Sequence, residues 1–142
     1  MKQTGAAGAG ARRVPAVHTL VISQHEGVRA QLVAYLARLP TLDVDGSPLT
    51  AATIIAARPD VVVLDLSRVD HACLRAAIDD TRRVGARLIA LASMHEPDAE
   101  ELVIRASGLY RLKSAGADGL AEAVLQVAAR SPTNGRAATH LD

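Results

Sequence analysis

Apolar positions fall into two patterns that take turns along this chain. Short unbroken apolar runs alternate with stretches in which apolar residues recur every three or four positions. Thr19 to Ile22 is a run of the first kind. Val28, Leu32, Leu36 and Leu39 then follow helical spacing up to Pro40, which cannot continue a helix. Leu42 to Val44 predicts a second, weaker strand, closed by the turn-like Asp45-Gly46-Ser47-Pro48. Thr50 to Ala57 predicts a short helix. Within the strand predicted over Val61 to Leu66, Val61 to Leu64 is the most apolar run, too short for a helix and too uniform for a half-exposed strand. Such a run belongs at the centre of a parallel sheet covered on both faces.

The second half repeats the alternation. Asp70 can cap a helix running to about Arg83, with Leu74, Ala77 and Ile78 inward and Gly85 beyond its end. Leu88 to Ala92 predicts the fourth strand. Pro97 starts a helix whose early acids Asp98, Glu100 and Glu101 suit its amino end, and which ends near Gly108. Leu109 to Leu112 is the fifth strand. Leu120, Ala123, Val124 and Val127 mark the inward face of the last helix. Strict alternation predicts an α/β, doubly wound, five-stranded parallel sheet of flavodoxin-like order 2-1-3-4-5. The expected organisation is a leader over 1–16, one domain over 17–130 and a tail over 131–142. The leader's Gly5-x-x-Gly8-x-Gly10 precedes the first strand, whereas a dinucleotide fingerprint follows it.

Composition narrows the function. A formal net charge of +1 gives no field favouring nucleic acid or an anionic membrane. Arg12-Arg13 and Arg82-Arg83 read as solvated pairs. With no Phe or Trp and two Tyr, bases have little to stack on. Cys73 is the single cysteine, expected as a small buried side chain, and it excludes an internal disulfide. No apolar run is long enough to cross a membrane and the amino end lacks a signal-peptide core, which places the chain in the cytoplasm as an expectation. Of the sixteen Lys and Arg side chains, only Lys2 and Lys113 are lysines. A lysine kept in so arginine-rich a chain points to a role that arginine's planar fork cannot fill, with composition bias as the alternative reading.

The predicted strand order brings the ends of strands one, three and five around one crevice, where ligands bind in open α/β sheets. Those ends carry Ser23 and Gln24, Asp65, and Lys113; strand four delivers Ala92 and Ser93. A carboxylate and an ammonium converging there suit phosphoryl handling, one as nucleophile and the other as holder of a phosphoryl oxygen. A metal site from His25, Glu26 and Asp65 lacks a spaced partner histidine. The Asp70-His71 pair lacks the spacing of a cobalamin motif.

At this point the chain resembles the receiver domain of bacterial response regulators, the CheY-like superfamily. The resemblance covers about residues 18 to 130. Arg58-Pro-Asp-Val-Val-Val-Leu-Asp65-Leu66, Tyr110-Arg-Leu-Lys113 and Thr19-Leu-Val-Ile-Ser-Gln-His25 carry it. It implies Asp65 as phosphoacceptor, Lys113 as the essential lysine and Tyr110 as the aromatic that reports phosphorylation. It also implies an acid pair after the first strand, holding Mg²⁺, where this chain has Ser23 and Gln24. A hydroxyl expected at the end of strand four falls on Ala92 or Ser93, and the usual Met-Pro after the phosphoacceptor reads Arg68-Val69.

The expected function is that of an atypical, stand-alone receiver, not an enzyme, signalling by protein–protein contact. Asp65 would hold Mg²⁺ weakly or not at all, and no other cofactor is expected. The partner would be a histidine kinase or a downstream regulator, with a homodimer open, and no nucleic acid or membrane bound through this chain. The face of the fourth helix, fifth strand and fifth helix is the expected contact, with Arg105, Tyr110 and Arg111 beside Glu100 and Glu101. The alternative is a working receiver that uses Mg²⁺ and takes phosphate on Asp65 from a histidine kinase. A small flavodoxin-like enzyme or nucleotide binder is a poorer third reading, because no glycine-rich phosphate loop follows the first strand.

Overall fold

The computed structural model describes residues 16–129. The expected leader (Ala16 apart), its glycine motif, Arg12-Arg13 and the tail over 131–142 lie outside the described residues. Within them, strands β1 (Val17–Ile22), β2 (Leu42–Ser47), β3 (Val61–Asp65), β4 (Arg87–Ala92) and β5 (Leu109–Leu112) form one sheet. Its order is β2-β1-β3-β4-β5 and every pairing is parallel. Helices α1 (Glu26–Leu36), α2 (Thr53–Ala57), α3 (His71–Arg83), α4 (Pro97–Arg105) and α5 (Ala117–Ala129) fill the crossovers. A short 3-10 turn over Lys113–Ala115 leads from β5 to α5.

Strand β3 explains why the sheet is covered twice. All five of its residues are fully buried, and its side chains divide by pleat parity. Val62 and Leu64 join Leu20, Ile22 and Ala90 under α2, α3 and α4. Val61 and Val63 join Val21, Ile89 and Leu91 under α1 and α5. Truncating a residue such as Leu64 to Ala would cost about 2–5 kcal/mol.

Two local expectations are corrected. Asp45-Gly46-Ser47 is not a turn: β2 continues through it, with Gly46 level with Val21 and Ser47 with Ile22. Helix α1 crosses Gly46 so closely that a Cβ there would stand 2.8 Å from Val33 Cγ2. Cys73 is exposed, because it lies off the inward stripe of Leu74, Ala77, Ile78 and Thr81 on α3. Its backbone N–H caps that helix on the Asp70 carboxylate at 2.8 Å, and the acid beside it pushes the thiol pKa up. Smaller differences are confined to ends. Helix α2 starts at Thr53, and the turn after α4 uses Ser107 at φ 65°, not Gly108, as its left-handed residue.

Candidate functional site

The site is built by register. Ile22 of β1 pairs with Leu64 of β3, so the next residue of each chain segment, Ser23 and Asp65, stand level at the carboxyl edge. On the other side, Asp65 pairs with Leu91, and β4 pairs Ala92 with Leu112 of β5, one residue short of Lys113. Side chains from three strand ends therefore meet above the middle of the sheet.

Asp65 is fully buried there and both carboxylate oxygens are engaged. Oδ1 lies 2.7 Å from Lys113 Nζ and accepts the Ser67 N–H at 3.1 Å. Oδ2 accepts the Ser23 hydroxyl at 2.8 Å. Lys113 also donates to Ser67 Oγ at 3.1 Å. Ser23 is itself buried and its Oγ accepts the His25 N–H at 3.1 Å. Burial alone pushes the Asp65 carboxyl up. The hydrogen bonds from Lys113, from the Ser67 N–H and from the Ser23 hydroxyl outweigh it and hold the carboxyl below its ordinary value. The ground state is thus a buried, charge-assisted pair with hydroxyl and amide donors completing its shell.

The surrounding residues divide sharply. Gln24 is exposed and turns away from Asp65: its Oε1 accepts the Leu49 N–H at 2.8 Å and ties the segment after β1 to the one after β2. Ala92, buried, ends β4, and Ser93 beyond it is exposed and is not among the partners of Asp65. Arg29 of α1 donates to the Ser23 carbonyl at 2.8 Å and so fixes the segment that carries the hydroxyl. Among the described residues, no three His, Cys, Asp or Glu side chains converge on a common point, and His25 and Glu26 do not close on Asp65 as a metal set.

Tyr110 is turned inward at 9% exposure and packs with Leu88 and Val103. Its hydroxyl accepts the Glu96 N–H at 3.0 Å and donates to the Met94 carbonyl at 3.3 Å, bracing the segment between β4 and α4. His95 sits edge-on to its ring. Arg111, opposite in pleat parity, is partly buried. Arg105 is exposed and pairs with Glu101 at 2.6 Å.

Ser67 was not singled out by the sequence, although it supplies both an N–H to Asp65 and an acceptor to Lys113. The available signal was its spacing: an aspartate commonly accepts the backbone N–H two residues on.

Among the described residues, no helix is long and apolar enough to cross a membrane. No protein-family model matches the sequence, and no curated protein does. Solved structures do resemble it. The signal receiver domain assigned to a response regulator NarL of Mycobacterium tuberculosis is 24% identical, with TM-score 0.66, over 81% of this chain and 98% of that one. A two-component response regulator of the LuxR family from an Aurantimonas species is 19% identical, with TM-score 0.69, over 89% of this chain and 99% of that one. A protein assigned to pilus assembly (cpaE) from Burkholderia thailandensis is 18% identical, with TM-score 0.67, over 80% of this chain and 98% of that one. With its parallel order β2-β1-β3-β4-β5, this chain has the fold of response-regulator receiver domains.

Proposed function

We propose that this chain is an atypical receiver module that signals by protein–protein contact, without Mg²⁺-dependent phosphorylation of Asp65. One observation carries the reading. Both oxygens of the Asp65 carboxylate are engaged from within the chain, by Lys113 at 2.7 Å on one and by the Ser23 hydroxyl at 2.8 Å on the other.

The donor set does not fit Mg²⁺. That ion takes near-octahedral oxygen ligands and is usually held through one or two carboxylates. Where the resemblance implies an acid pair, Ser23 offers a hydroxyl whose proton points at Asp65, and Gln24 has its oxygen occupied by the Leu49 N–H. Asp65 is then the one carboxylate in the constellation, and its charge is already answered by Lys113. Phosphoryl transfer depends on cationic groups that neutralise developing charge and position the reacting atoms. Lys113 alone supplies a single positive charge to that task. Output would pass through the face of α4, β5 and α5; Ile104 of α4 is apolar and exposed, and Arg105, next to it in the chain, pairs with Glu101. A cytoplasmic setting and a kinase or regulator as partner belong to the same reading. The fold alone does not choose the partner, since similar structures include both response regulators and a pilus-assembly protein.

The alternative, a receiver phosphorylated on Asp65 by a histidine kinase, draws support from the Asp65–Lys113 contact and from Tyr110. Incubation with acetyl phosphate or beryllofluoride and Mg²⁺, followed by intact-mass and NMR measurement, separates the two. No adduct is expected. A stoichiometric adduct at Asp65 would establish the alternative.

A further inference from the structure

Next to the Asp65 site the chain leaves an apolar cleft open. It lies between α1 and α5, on the sheet face that carries Val21, Val63 and Leu91. Val28 and Leu32 of α1, Leu91 and Leu112 of the sheet, and Leu120 of α5 form its walls. The sequence produces the opening by running Ala115-Gly116-Ala117-Asp118-Gly119 into the start of α5, four small residues where a bulky one would close the gap. A Cβ added at Gly119 would meet only the Ala115 Cβ, at 3.9 Å, so the space is not filled by neighbouring side chains. The cleft holds about 170 Å³. An apolar cavity of about 150 Å³ is enough for benzene.

The polar end of the cleft is cationic. Lys113 and Arg111 both line it. An ammonium has three N–H donors. Lys113 uses two, on Asp65 Oδ1 and Ser67 Oγ, and its side chain is 30% exposed. The charged residues that line the cleft, Lys113 and Arg111, are both cationic, which favours an anion, while Asp118 on the neighbouring segment accepts the Tyr35 hydroxyl at 2.9 Å.

We propose that this cleft binds a small apolar carboxylate, an aromatic or short aliphatic acid. The hydrocarbon part packs among Val28, Leu32 and Leu120, and the carboxylate takes the remaining donor of Lys113 with Arg111 beside it. The inference deepens the proposed function and rests on it: a module whose Asp65 does not answer to phosphate takes its signal from a ligand held by the Lys113 donor that Asp65 and Ser67 leave over.

Benzoate is the probe, with benzyl alcohol as the uncharged control of similar size, titrated into the purified chain and followed by ¹H–¹⁵N NMR. Benzoate should produce saturable shifts at Leu32, Leu91, Lys113 and Leu120. Benzyl alcohol should bind about tenfold more weakly, the value of one charge-assisted hydrogen bond. Gly119→Leu should abolish the shifts by filling the cleft, and Ala115→Leu, at an exposed position, should do the same without touching the helix interior. Spectra of both variants away from the cleft report folding. Absence of saturable shifts in the unaltered chain overturns the proposal, as does benzoate binding that survives both filling variants. Equal affinity for the two probes overturns the carboxylate assignment. Saturable benzoate binding together with an acetyl-phosphate adduct on Asp65 supports the cleft while overturning the phosphate-free reading.

Discussion

The Ser23 hydroxyl and the Asp65 carboxylate, 2.8 Å apart, occupy a position where the resemblance to receivers implies carboxylate facing carboxylate across a cation. Replacing an acid by a hydroxyl donor changes the sign of that interaction. Two adjacent carboxylates repel and need an ion between them, whereas a hydroxyl donor beside a carboxylate stabilises it directly. Ser23→Ala should therefore destabilise the fold by about 1–3 kcal/mol, the range for a hydrogen bond to a charged group. Urea unfolding measures it. A change within about 0.5 kcal/mol would mean that Ser67 and Lys113 suffice for Asp65.

The Asp65–Lys113 pair is asymmetric in exposure, and this predicts asymmetric variants. Asp65 is fully buried, while Lys113 is 30% exposed. Lys113→Met leaves a carboxylate in the interior with only Ser23 and Ser67 as donors, so the loss should approach the about 3–5 kcal/mol seen when one partner of a buried pair is removed. Asp65→Asn leaves an ammonium that can turn to water, and should cost less, about 1–2 kcal/mol. Equal losses in chemical denaturation would contradict this order.

The same site sets a pH dependence. Asp65 has its carboxyl pKa lowered in the fold from the ordinary 3.8. A group depressed on folding contributes stability that is fully present above its unfolded pKa and is lost as pH falls through the folded one. Stability should be level across neutral pH as far as Asp65 is concerned, then fall with acid below about pH 4, the ordinary aspartate value. Asp65→Asn should flatten that acid limb. An unchanged limb in the variant would assign the acid sensitivity to other carboxylates.

Restoring the acids should restore the ion. In Ser23→Asp/Gln24→Asp, three carboxylates would face one another beside one lysine, a destabilising crowd without metal. Added Mg²⁺ should raise the Tm of that variant by mass action and leave the unaltered chain's Tm unchanged. A Mg²⁺-dependent Tm rise in the unaltered chain would show that Ser23 and Gln24 do not disable the site.

How far the sequence foretells this arrangement depends on which residues carry information locally. Val61 to Leu64 can sit nowhere but the sheet centre, and that run orders the remaining strands and brings Asp65 and Lys113 to one edge. Gly46 misleads, because Asp-Gly-Ser-Pro is turn chemistry in isolation. Only the approach of Val33 and Arg29 from α1, a tertiary contact, shows why an edge strand keeps a residue without a Cβ. Gln24 was visible as a departure, but its partner, the Leu49 N–H, is distant in sequence and has no side-chain signature. Tyr110 was found for the right strand, and its inward packing against the fourth helix follows from the alternation along β5. The alternation along β5 puts it with Leu88 and Val103 and puts Arg111 on the opposite face.

That inward placement decides how the output should be tested. Tyr110→Phe removes a hydroxyl bound to the Glu96 N–H and the Met94 carbonyl, and should cost about 0.5–1.5 kcal/mol and speed amide exchange at Glu96. It should not by itself remove a contact with a partner. The exposed Ile104 and the Arg105 beside it are the residues to truncate for that purpose. Interface anchors commonly cost more than about 1 kcal/mol when cut to Ala. If output passes through this face without phosphate, co-purification of the partner should survive Asp65→Asn and fail with Ile104→Ala/Arg105→Ala. Loss with Asp65→Asn alone would make the carboxylate part of the switch. Retention in both variants would move the contact to another face of the sheet.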